Sequence, residues 1–227
     1  MNERPIIFSG SMVGAILADT KTQTRRVVKP QPEPVGGEAK HAHWSWRGGF
    51  FALRMYPAQS TLLAHCPYGA PGDRLWVKET YGNMAHDGDE PMWTYKAGSP
   101  PTSAEGWSLP PGVKWKSGRF MPKAAARITL ELTDVRVERL QEISEADAYA
   151  EGIEQDVWDQ ALVTRDYSAP DRWFQTWTED EAGYVDFEAA ARRSFQSLWD
   201  SINAKRAPWS INPWLWVLCF RRRDDRP

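Results

Sequence analysis

Apolar positions fall at two spacings along the chain, and the change from one to the other marks out the elements. Met12, Val13, Ile16 and Leu17 recur at helical spacing, and Ser9 or Ser11 can cap their start, so a helix is predicted over about 11–18. The Pro5-Ile6-Ile7-Phe8 run before it reads as a short strand, and 22–28 after it as a strand rich in β-branched and polar residues. Residues 74–81 form another strand. Across 125–139, Ile128, Leu130 and Leu132 alternate with polar residues, and then Val135 and Val137 do so on the opposite parity. That change near Thr133-Asp134 predicts a bulge. Phe187, Ala190, Ala191, Phe195, Leu198, Trp199 and Ile202 share one side of an amphipathic helix over 187–202, and 214–220 is a buried strand closed by Arg221, Arg222 and Arg223.

Between these elements the chain is punctuated. Residues 29–40 are rich in Pro and Gly and read as loop, and 44–53 reads as a hairpin turning at Gly48-Gly49. Ser144 at an N-cap and Asp147 at the third helical position open a short helix that ends at Gly152. One strand is expected within 82–120, at 92–97, while 154–186 is acidic, aromatic and weakly periodic. The expectation is an α+β fold: a mixed, mostly antiparallel β-barrel with flanking helices and long loop insertions. It covers 1–227 as a single domain, with insertions at 29–65, 82–120 and 154–186.

Composition narrows the function. A chain of 227 residues, 41% of them hydrophobic, suits one such domain. Mean hydropathy is -0.59, no apolar run reaches bilayer length, and the first residues do not read as a signal peptide, so a cytoplasmic protein without membrane contact is expected. Cys66 and Cys219 make no disulfide scaffold. A net charge of -2 argues against coating duplex DNA by bulk positive charge. It leaves room for a local basic groove, and Lys21, Arg25, Arg26 and Lys29 cluster. Thirteen tryptophans are core plugs, loop anchors or base-stacking groups; Trp44 and Trp46 are the stacking candidates, and Trp76 reads as core. His41, His43, His65 and Cys66 match no standard zinc spacing, so neither metal nor cofactor is expected. Gly72-Asp73 reads as a turn device.

Three segments together carry a resemblance: Asp19 to Arg26, which contains Lys-Thr-Gln-Thr-Arg-Arg; Cys66 to Asp73, Cys-Pro-Tyr-Gly-Ala-Pro-Gly-Asp; and Leu198 to Asn203, Leu-Trp-Asp-Ser-Ile-Asn. With the segment from Leu140 to Ala148 and the closing strand, the chain resembles the ASCH domain family of the PUA-like superfamily, most of all the long forms encoded by phages and prophages. The likeness spans most of the chain outside 82–120 and 154–186. It implies a PUA-like pseudo-barrel, a bacterial host cytoplasm, and a nucleoside or single-stranded nucleic acid as partner, RNA ahead of duplex DNA. Asp19 and Thr20 depart from the family's Gly and Arg. Small ASCH enzymes remove the acetyl group from N4-acetylcytidine, and their catalytic positions match Lys21, Thr24 and Glu151, with Arg26 also in the matching strip. A non-catalytic RNA- or DNA-binding module and an ASCH-type ribonuclease are the alternatives.

The residues can carry that chemistry. Thr24 needs a base to become a nucleophile, and a lysine near other cations, such as Arg25 and Arg26, can be one. Glu151 can protonate a leaving amine, and Arg26 can hold an oxyanion or phosphate. Thr22 and Arg25 complete the expected binding strip. In a regular strand Thr22, Thr24 and Arg26 share one face, whereas Lys21 and Thr24 have opposite parity. The dyad therefore requires Lys21 to sit on a turn before the strand begins.

Overall fold

A computed structural model describes residues 1–35, 43–46, 49–52, 64–83, 92–98, 113–158, 161–169, 171–175 and 187–223. Five strands build the main sheet: β1 (Glu3–Ile7), β2 (Gln23–Val27), β6 (Arg74–Lys78), β9 (Thr129–Arg139) and β13 (Trp214–Arg223). Their order is β1-β6-β9-β13-β2, with β1 parallel to β6 and every other pair antiparallel. Smaller sheets join β3 (Glu33–Val35), β4 (His43–Trp46) and β5 (Gly49–Ala52); β7 (Tyr81–Asn83) and β8 (Trp93–Tyr95); and β10 (Gln155–Trp158), β11 (Ala161–Asp166) and β12 (Arg172–Gln175). The α-helices are α1 (Gly10–Leu17), α2 (Glu145–Ala150) and α3 (Phe187–Asn203).

Both faces of the main sheet are covered, which is why its interior strand β13 is apolar at successive positions rather than alternate ones. Trp216, Leu218 and Phe220 join Leu130, Leu132, Val135 and Val137 in a core closed by Val13 and Ile16 of α1. Leu215, on the other face, packs with Leu140, Ile143, Ala148, Ala191, Phe195 and Trp199 beneath α2 and α3. The bulge in β9 falls where parity placed it: Cys219 lies opposite Asp134 and Phe220 opposite Leu132, which leaves Thr133 as the extra residue. All four apolar side chains of β9 stay buried across it.

The structure corrects several details. Among the described residues the main sheet is open, with β1 and β2 at its ends, and no closed barrel forms. The free edge of β2 is instead flanked by the ends of α2 and α3, which line a cavity with it. Segment 29–40 contributes strand β3, an edge position that tolerates Pro34. Gly49 opens β5 opposite Trp46 rather than forming the turn. The 154–186 segment holds the β10-β11-β12 sheet, and side-chain hydrogen bonds dock it on α3. Thr164 Oγ1 donates to the Ala190 carbonyl at 3.1 Å, Ser194 Oγ donates to the Arg165 carbonyl at 2.6 Å, and Ser197 Oγ accepts from the Tyr167 N–H at 2.9 Å. Trp76 is half-buried on the outer face under the Lys78 ammonium, while Leu75 and Val77 take the core. Asp73 does act as a turn device, accepting the N–H groups of Asn2 and Ala70 at 2.7 and 3.2 Å. Both cysteines are free, and no described helix is long and apolar enough to cross a membrane.

Candidate active site

The turn after α1 positions Lys21. The Thr20 and Lys21 N–H groups both return to the Ala15 carbonyl, at 3.0 and 3.1 Å, and Asp19 takes a left-handed conformation with φ of 56°. That is a conformation Asp adopts more readily than most residues with a side chain. Arg222 at the end of β13 holds the turn, donating to the Leu17 carbonyl at 3.1 Å and to Asp19 Oδ2 at 3.2 Å. Strand β2 starts only at Gln23, so Lys21 precedes it and the condition set by strand parity is met.

The end of α2 positions Glu151. Ser144 caps the helix, accepting the Asp147 N–H at 3.1 Å, and the Ala150 carbonyl accepts the Thr22 N–H at 2.9 Å, tying the helix to the Lys21 turn. Gly152 follows with φ of 78°, and a Cβ there would lie 2.8 Å from Lys21 Cβ and 3.1 Å from Ala15 Cβ. Only glycine leaves room for the buried lysine. Gly152→Ala is expected to cost roughly 2–4 kcal/mol, the sum of a disfavoured φ and overpacking against a carbon stem. Thermal unfolding of the variant measures it, and an unchanged midpoint would show that the Lys21 stem has room to give.

Lys21 and Glu151 then meet in the interior. Lys21 Nζ donates to Glu151 Oε2 at 2.8 Å and to the Glu151 carbonyl at 2.7 Å, and both side chains are buried. Burial pushes the Lys21 pKa below the usual lysine value; Glu151 opposes this, while Arg26 and Arg25 add to it. Arg25 donates to Glu151 Oε1 at 3.2 Å, Glu138 Oε2 at 3.1 Å and Asp147 Oδ2 at 2.9 Å. Arg136 continues the network to Glu138, and to Asp147 at 2.8 Å. Burial alone would raise the Asp147 pKa, but Arg25 and Arg136 outweigh it and hold the carboxyl below its usual range.

Thr24, Glu151, Arg25 and Arg26 share a cavity of about 80 Å³, closed by Met12 of α1 and by Phe195, Leu198, Trp199 and Ile202 of α3. Thr24 is buried, and among the described residues its hydroxyl has no hydrogen-bond partner. The Thr22 carbonyl accepts from Phe220 N and Val28 N donates to the Trp214 carbonyl, so even-numbered residues of this segment face β13. The main-chain groups of Gln23, Arg25 and Val27 therefore point to the free edge. Arg26 donates to the Ile7 carbonyl at 2.8 Å and lies 5.0 Å from the Phe8 ring centroid, and Lys21 Nζ lies 6.0 Å from the same ring. Burial draws the Arg26 pKa down, with Tyr68 and Glu151 opposing, and a guanidinium stays charged at neutral pH.

The structure thus brings Thr24, Arg26 and Glu151 around one cavity, while Lys21 reaches it through Glu151: its ammonium bonds Glu151, does not line the cavity and makes no hydrogen bond to Thr24. Thr22, which strand parity had set beside Thr24, is exposed on the far side of Glu151 and lines a different cleft with Asp19, Glu154 and Asp156. Arg25 is not turned outward: its terminal nitrogens are engaged by carboxylates, Phe195 covers it at 5.7 Å, and its Nε has no partner. Trp44 and Trp46 lie on β4, and their side chains fall outside the described residues. Sequence reading missed Phe8, Arg136, Glu138 and Asp147. The signal was present in β9, where Arg136 and Glu138 occupy the face opposite Val135 and Val137 and needed buried partners. Among the described residues no group of three or more His, Cys, Asp or Glu side chains is placed to hold a metal. Comparison with family models, with curated proteins and with solved structures gives no match to this chain.

Proposed function

We propose that the chain is an ASCH-type protein with a PUA-like fold, acting as an amidohydrolase on an N4-acylated cytosine. The observation that carries this reading is a buried Lys21–Glu151 pair adjoining a small cavity lined by buried Thr24, whose hydroxyl makes no hydrogen bond among the described residues. Lys21, whose pKa is depressed, takes the Thr24 hydroxyl proton in its neutral form. The Thr24 oxygen attacks the acyl carbonyl, and Arg26 stabilises the oxyanion that develops. Glu151, which holds the proton that Lys21 gives up on becoming neutral, delivers it to the cytosine N4 as the C–N bond breaks. Water then hydrolyses the acyl-threonine ester, releasing the acid and restoring the hydroxyl.

Size supports a small acyl group. A cavity of about 80 Å³ is roughly half the ~150 Å³ of a cavity that takes benzene, so it suits an acetyl group better than a ring. The base itself would lie outside the cavity mouth, against the free edge of β2.

The test is incubation of the purified protein with N4-acetylcytidine and with N4-benzoylcytidine, following cytidine release. Acetyl turnover is expected, with benzoyl turnover at least tenfold slower, and Thr24→Ala is expected to lower kcat by about 10⁶, the scale of removing a covalent nucleophile. Binding of cytidine without turnover of any N4-acylated form would overturn the hydrolase and leave a binding module.

A further inference from the structure

Arg26, Val27 and Asn203 line the small cavity on one side and a second cleft of about 730 Å³ on the other. Among the described residues the wall of this larger cleft carries the cations Arg4, Arg26, Lys29 and Arg206, with His65, Tyr68 and buried Trp216, and no Asp or Glu. In a chain of net charge -2 this concentration of cations is not a consequence of composition. Among its described lining residues the cleft of about 650 Å³ beyond Glu151 carries Asp19, Glu154 and Asp156 and no Lys or Arg, with Asp19 and Glu154 paired to Arg222 and Arg165. A polyanion is therefore drawn to the basic side of the Lys21–Glu151 pair.

Among the described residues no carboxylate forms an ion pair with Arg4, Arg26, Lys29 or Arg206. Lys29 and Arg206 are exposed and, among the described residues, make no ion pair. Arg4 is fixed in place, donating through one nitrogen to the Cys66 and Pro67 carbonyls at 3.1 and 2.9 Å. The turn it holds presents Tyr68, which lies near enough to Arg26 for the two to affect each other's ionisation. The volume lies within the roughly 300–1,000 Å³ of small-ligand sites.

We propose that this cleft is a phosphate subsite and that the substrate is a phosphorylated cytosine nucleotide, not a free nucleoside. The acyl group enters the small cavity, the base crosses at Arg26, and the phosphate sits among Arg4, Lys29 and Arg206. This rests on the amidohydrolase reading for the direction of the base, and its test needs no turnover.

Binding of cytidine, of cytidine 5′- and 3′-monophosphate, and of an eight-nucleotide oligocytidylate to the full chain is measured by calorimetry at low salt. The tighter monophosphate is expected to bind at least tenfold better than cytidine. In Lys29→Glu/Arg206→Glu that advantage is lost while cytidine binding stays within twofold; both residues are exposed and, among the described residues, make no ion pair, so an unchanged thermal midpoint is expected. An octamer that binds no tighter than the monophosphate identifies a mononucleotide substrate. One that binds tighter, with a log–log salt slope of about -0.7 per phosphate engaged, identifies a strand. Equal affinity for cytidine and both monophosphates, or a phosphate preference unchanged in the double variant, overturns the subsite. Turnover of N4-acetylcytidine beside either result leaves the hydrolase standing, and phosphate preference without turnover of any acylated form leaves the subsite standing without it.

Discussion

Lys21→Met is expected to abolish hydrolysis of N4-acetylcytidine and to destabilise the protein, and only the second effect should be recoverable. Methionine keeps most of the stem and removes the ammonium, leaving the Glu151 carboxylate buried with Arg25 as its remaining charged partner, at 3.2 Å. Breaking a buried pair by removing one member costs about 3–5 kcal/mol. The surviving Arg25 contact places this case at the low end, roughly 6–12 °C in Tm at about 2–4 °C per kcal/mol for a chain of this size. Adding Glu151→Gln removes the stranded charge, so the double variant should regain stability relative to Lys21→Met. Activity should not return, because both base and acid are gone. Strictly additive stability losses would mean that the two side chains do not interact in solution. Linkage gives a further check. With its folded-state pKa depressed below the usual lysine value, Lys21 binds fewer protons folded than unfolded between the two values. Its contribution to stability therefore rises with pH through that window, and Lys21→Met should flatten the rise.

What could be read in the sequence was whatever depended on local order. The capped helix α1, the bulge at Thr133, the Ser144 cap and the Lys21 turn follow from spacing and backbone preference within a few residues. The resemblance contributed the pairing of Lys21 with Glu151, 130 residues apart, which no periodicity could supply. What escaped was long-range and many-bodied. Phe8 reads as a strand residue until β1 places it beside Lys21 and Arg26. Residues 154–186 look irregular because the docking of their small sheet relies on Thr164, Ser194 and Ser197, polar groups that carry no amphipathic signature. The barrel was expected from the order of the elements, and element order does not say which edge of the sheet remains open.

Arg25 is where sequence and structure point to different roles, and Arg25→Met separates them. A cation in a basic strip beside a threonine reads as a substrate contact. In the fold its side chain is fully buried and holds Glu138, Asp147 and Glu151 together. Removing it leaves Asp147 and Glu138 to Arg136 and leaves Glu151 to Lys21. A loss of about 3–5 kcal/mol is expected, or roughly 6–20 °C in Tm. Arg25→Lys should recover part of it, since an ammonium restores the charge but cannot span three carboxylates as a planar fork does. Acid sensitivity should change in a defined direction. Asp147 stabilises the fold above its unfolded pKa, and that contribution is lost as pH falls through the depressed folded value. Without Arg25 the folded pKa moves back toward the ordinary carboxylate range, so less of that contribution remains at any pH and acid unfolding begins at higher pH. In kinetics a supporting role predicts that kcat falls through a displaced Glu151 while KM stays within about twofold. A raised KM with unchanged Tm and acid midpoint would return Arg25 to the substrate, and would require its carboxylate partners to release it on binding.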